Sequence, residues 1–93
     1  MNLIQPEKST ANTDYLYAAA ALSQTAEGAQ RQMITPDELD LANALGAIRL
    51  VELAAAQARR KVVDRMRHQG DSWEKIGDAL GISRQAAHER FSL

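Results

Sequence analysis

The stretch that decides the fold is Asp71-Ser-Trp-Glu-Lys-Ile-Gly-Asp-Ala-Leu-Gly-Ile-Ser-Arg-Gln-Ala-Ala-His-Glu-Arg-Phe91. Gly70 is a natural helix stop, and Asp71 or Ser72 can cap the helix that follows, with Asp71 and Glu74 in capping-box spacing. Trp73, Ile76 and Leu80 fall on one helical face. Gly81 suits a backbone position of positive φ and so marks a tight turn. Ser83 caps a second short helix, in which Ala86, Ala87 and Phe91 face inwards. Ile82 fills the angle between the two helices, and Gly77 stands where they must approach closely. Helix, turn and helix follow one another within about twenty residues, the order of a DNA-binding helix-turn-helix.

The residues left facing out of the second helix are Ser83, Arg84, Gln85, His88 and Glu89. In a major groove Arg suits guanine, Gln suits adenine, and Glu can accept from cytosine. Arg84, Gln85 and His88 are the expected base or groove contacts. Ser72, Lys75 and Arg90 are the expected phosphate contacts, which position without specifying.

Upstream, the sequence reads as a short arm followed by two helices. Residues 1–11 are polar, aperiodic and contain Pro6, and are expected to form a flexible arm. A first helix is expected to start at Asn12, Thr13 or Asp14 and to end near Gly28, with a connection over residues 27–34. Thr35-Pro36-Asp37-Glu38 is a strong start signal: a capping Thr, a first-turn Pro and an acidic residue at the capping-box position. From there Leu41, Leu45, Ile48, Ala55, Val62 and Met66 keep helical spacing. A helix over residues 36–69 would be roughly 50 Å long, more than the C-terminal motif can cover. Either it breaks near Gly46, or its N-terminal half packs on the first helix and on another subunit. The expected architecture is all-α: an N-terminal helix, a long central helix and a C-terminal helix-turn-helix, assembled as a homodimer. The divisions are an arm (1–11), a helical scaffold and dimerisation region (12–69) and the DNA-binding motif (70–93). A monomeric helical hairpin is the alternative.

Composition agrees with a chain that needs a second subunit. Hydrophobic residues make up 45% of the 93, yet aromatics are only 4% and alanine supplies much of the rest. Alanine favours helix but contributes little burial energy. The net charge of −1 hides an asymmetry: residues 1–58 are acidic overall and residues 59–93 basic. A cationic C-terminal end suits a polyanion, while a basic run such as Arg59-Arg60-Lys61 with Arg65 and Arg67 also suits any helix C-terminus.

Several function classes lack support. The absence of cysteine excludes disulfides and thiolate metal sites. His68 and His88 have no carboxylate partners at metal-ligand spacing, and no phosphate-binding glycine loop or nucleophile motif occurs. No cofactor, metal site or enzymatic activity is expected. The longest apolar run, Tyr15 to Leu22, is too short to cross a membrane, and the N-terminus lacks the order of a signal peptide. A cytoplasmic, nucleoid-associated protein is expected.

The segment Ser72 to Phe91 resembles the helix-turn-helix of region 4 of sigma factors and of small sigma-like regulators. Its pattern, Ser-Trp-Glu-x-Ile-Gly-x-Ala-Leu-Gly-Ile-Ser-Arg-Gln-Ala-Ala-His-x-Arg-Phe, is similar to short helix-turn-helix proteins common in actinobacteria. The resemblance implies sequence-specific binding of double-stranded DNA and a role in transcription regulation. The other sigma regions have no counterpart here, so a promoter-recognising sigma factor is not expected. The competing expectation is an adaptor, with the N-terminal helices binding a partner protein through their acidic and Ala/Leu faces.

Overall fold

The computed structural model describes residues 6–34 and 40–92, and all four of its elements are helices: α1 (Pro6–Ile34), α2 (Leu41–His68), α3 (Trp73–Leu80) and α4 (Arg84–Phe91). None of the helices among the described residues is long and apolar enough to cross a membrane.

Two boundaries differ from those expected, and one open alternative is decided. The first helix starts at Pro6, inside the stretch read as a flexible arm; proline's fixed φ suits a first helical turn, where its missing N–H costs nothing. Gly28 does not end it, and α1 runs on to Ile34. Nor does Gly46 interrupt α2, whose 28 residues are continuous over about 42 Å. A single glycine costs a helix about 1 kcal/mol, too little to break one that good helix formers extend on both sides. The expected cap at Thr35 lies outside the described residues. Asp40 performs that function: its Oδ1 accepts from the backbone N–H of Ala42 at 2.9 Å and of Asn43 at 3.2 Å.

The chain divides into two compact units, Met1–Ala58 and Arg59–Leu93. In the first, the buried hydrophobic residues are Ala29, Ala44 and Ala54. Large apolar side chains stay in solvent: Leu16 is 66% exposed, Tyr17 72%, Leu41 68% and Leu45 69%. Leu41 and Leu45 of the α2 apolar face thus lie in solvent in the single chain, while Ala44 and Ala54 of the same helix are buried. Each buried alanine removes only a methyl group from water, so the described residues of this unit form little core among themselves.

The second unit has a true core. Val63, Ile76, Ala87 and Phe91 are buried together, and Met66, Trp73, Leu80 and Ile82 pack against them. The unit reaches upstream of residue 70 because Val63 and Met66, on the last turns of α2, supply one wall. Ile76 is fully buried; of the inward positions expected of α3 and α4, Ile76, Ala87 and Phe91 are buried, while Trp73, Leu80 and Ala86 are half-buried.

The two connections of this unit use one device twice. At the end of α2, the N–H of Gly70 donates to the Arg67 carbonyl (3.0 Å) and that of Asp71 to the Met66 carbonyl (2.9 Å). At the end of α3, Gly81 donates to Asp78 (3.3 Å) and Ile82 to Gly77 (2.9 Å). Both are the paired bonds of a Schellman stop, with the glycine in the left-handed region at φ 90° and 74°. Two residues after each glycine a serine starts the next helix: Ser72 Oγ accepts from the N–H of Lys75 at 3.1 Å, and Ser83 Oγ from that of Ala86 at 3.0 Å. Gly70-Asp71-Ser72 and Gly81-Ile82-Ser83 are thus the same stop-and-start signal, which fixes the direction of α3 and then of α4.

Candidate nucleic-acid interface

Core packing turns Ala87 and Phe91 of α4 inwards, and this dictates what α4 presents outside. All eight residues proposed from the sequence as contacts are exposed: Ser72, Lys75, Ser83, Arg84, Gln85, His88, Glu89 and Arg90. Their local commitments differ. Arg84, Gln85 and His88 line one open groove together with Trp73. Ser72 and Ser83 spend a lone pair on their caps and keep the hydroxyl proton to donate. Lys75 is paired with Asp71 at 3.1 Å. Gln85 Nε2 donates to Glu89 Oε1 at 3.1 Å, so Glu89 orients Gln85 rather than standing alone. Arg90 lies over the Phe91 ring, 5.4 Å from its centroid.

Arg84 is the exception. It makes no ion pair, hydrogen bond or ring contact among the described residues, and it occupies the first position of α4, where no acidic residue accompanies it. The helix dipole disfavours a cation there by about 0.3–1 kcal/mol. An anion at that end would reverse the sign of the interaction. The placement is poor for the isolated helix and good for a site that receives a phosphate or the electronegative edge of a base.

Two residues important to this surface were not singled out as contacts by sequence reasoning. Trp73, read as core, is only half buried and forms a wall of the groove. Arg67, read as one cation of a basic run, lies over the Trp73 ring at 4.5 Å and donates from Nη1 to the Asp71 carbonyl at 2.9 Å. A legible signal existed: the Schellman glycine lies between them, and such a turn folds residues on its two sides towards each other.

A second groove shares Trp73 and His88 with the first and is otherwise lined by Asp64, Arg67, Phe91 and Ser92. The rings of Trp73 and His88 are therefore a wall common to both. Among the described residues no group of three His, Cys, Asp or Glu side chains could hold a metal ion. No family model, curated protein or solved structure matches the chain.

Proposed function

We propose that this protein binds double-stranded DNA in a sequence-specific manner, with α3 and α4 acting as a helix-turn-helix and α4 as the recognition helix, and that it works as a small cytoplasmic, nucleoid-associated transcription regulator. The observation that carries the reading is the groove of Trp73, Arg84, Gln85 and His88 on a helix held at a fixed angle by a buried core and two stop-and-start turns. Three side chains with base-edge chemistry converge there. Arg84 supplies a charge with no intramolecular partner among the described residues. Ser72, Lys75, Ser83 and Arg90 surround the groove with donors suited to phosphate, while Glu89 holds Gln85.

The unit that carries this surface is the cationic one, since the sign of the charge changes at the boundary after Ala58. Such a distribution draws a polyanion to the reading end. The proposal extends to homodimerisation through the first unit. Its exposed Leu16, Tyr17, Leu41 and Leu45 offer the apolar area that its alanines cannot. A two-fold dimer would set two recognition helices into successive major grooves, with half-sites about one helical turn apart.

The same exposed side chains favour a second reading, in which the N-terminal helices dock a different protein. Fluorescence anisotropy of the full chain on random-sequence DNA at low and moderate salt, followed by sequencing of the bound fraction, separates the two. Enrichment of a two-fold symmetric site supports the dimeric regulator. Absence of binding at low salt removes the DNA reading and leaves the adaptor.

A further inference from the structure

Trp73 belongs to a stack that joins three helices. The Arg67 guanidinium, from the last turn of α2, lies over the indole at 4.5 Å and is anchored by its bond to the Asp71 carbonyl. The His88 imidazole, from the middle of α4, meets the indole edge-on, with centroids 5.4 Å apart and planes at 85°. This is the favoured T-shaped geometry of two aromatic rings. Neither ring nitrogen of His88 has a hydrogen-bond partner among the described residues. The orientation of the imidazole is therefore set by the indole, while its polar atoms stay available. An unsupported imidazole on a helix surface would turn among several rotamers. Reading a base edge requires one.

We infer that Trp73 is a positioning residue of the reading surface: it holds His88 in the orientation that faces the nucleic acid, and Arg67 in turn holds Trp73. The inference rests on the DNA reading proposed above. Base preference at the step contacted by His88 then depends on two residues that need not touch that base.

The test uses the full chain with Trp73→Leu, Trp73→Phe and Arg67→Ala, each checked for retained helicity, and has two independent readouts. In the DNA-free protein, the ring-proton resonances of His88, assigned with the help of His68→Gln, are displaced by the indole ring current. The expected result is loss of that displacement in Trp73→Leu and partial loss in Arg67→Ala. In sequencing of DNA selected from a random library, Trp73→Leu should lose about tenfold of the preference at the single step that His88→Ala also loses. The preference at the step governed by Arg84 should survive, and Trp73→Phe should keep most of both. Should Trp73→Leu not fold, Trp73→Phe and Arg67→Ala carry the comparison, because Arg67→Ala leaves the indole in place.

Unchanged His88 resonances in Trp73→Leu and Arg67→Ala would overturn the inference. So would equal weakening at every base step, the mark of mere fold support. If the wild-type chain binds no DNA, the nucleic-acid reading and the reading role of His88 fall together. The resonances would then still decide whether Trp73 orients His88.

Discussion

A Cβ built on Gly77 would lie 2.8 Å from the carbonyl oxygen of Ile82. The turn between α3 and α4 passes so close to α3 that its backbone occupies the space of a side chain, and the Ser83 carbonyl stands at 3.0 Å from the same point. Sequence reasoning expected helix to approach helix at Gly77. What approaches is the carbonyl edge of the turn and of the Ser83 cap, which is less able to yield. Gly77→Ala should destabilise the protein by about 1–3 kcal/mol, as read by denaturant unfolding. Wild-type stability in that variant would show that the turn is not held against α3.

Gly81 tests a different cause. A Cβ there would meet nothing within 4 Å, yet its φ is 74°. Gly81→Ala should cost about 1–2 kcal/mol through left-handed backbone alone, and Gly81→Asn should recover part of it. Equal losses for alanine and asparagine would point to sterics instead.

Ser83 separates capping from contact. Ser83→Ala removes the bond to the Ala86 N–H and should cost about 1 kcal/mol. Ser83→Asp keeps a cap, so stability should stay near wild type while the added negative charge weakens DNA binding. If Ser83→Asp binds DNA as tightly as wild type, the N-terminus of α4 does not face phosphate.

The stop-and-start turns show how much was legible. Gly70, Gly81 and Ser83 have one physical interpretation each, so these helix ends and the inward face of Ile76, Ala87 and Phe91 were legible in the sequence; the cap of α3 stood open between Asp71 and Ser72, and Ser72 provides it while Asp71 pairs with Lys75. Gly28 was misread as a stop, and Gly46 left two alternatives open, because the same residue type stops a helix only where the backbone turns left-handed. Neighbouring residues decide whether it does. For α2 the apolar spacing was legible, but its cover was not. Leucine spacing identifies an apolar stripe but not what covers it, and Leu41 and Leu45 remain exposed. At the site, the eight exposed residues were legible from spacing. The Arg67–Trp73–His88 stack was not, since it depends on three helices meeting.

The exposed leucines give the oligomer prediction. Leu41→Glu with Leu45→Glu removes apolar surface without touching the core of the second unit. Sedimentation analysis should show a dimer for the wild type and a monomer for the double variant, and affinity for a two-fold site should fall sharply. A wild-type monomer at all concentrations would refute the dimer.

Lys75 and Arg84 should behave differently in salt. Lys75→Ala should lower the slope of log affinity against log salt by about one and weaken all sequences alike. Its ion pair with Asp71 is exposed, so its loss should change stability by under about 1 kcal/mol.

The most direct test of the central claim compares wild type with Arg84→Ala on DNA enriched from a random library. Arg84 has no partner among the described residues, so its removal should leave stability within about 0.5 kcal/mol. The account predicts a two-fold symmetric enriched site, tight binding by the wild type and at least about tenfold weaker binding by the variant, with the loss concentrated at one base step. Equal affinity of the two proteins for that site, or no enrichment by the wild type at low salt, would contradict it.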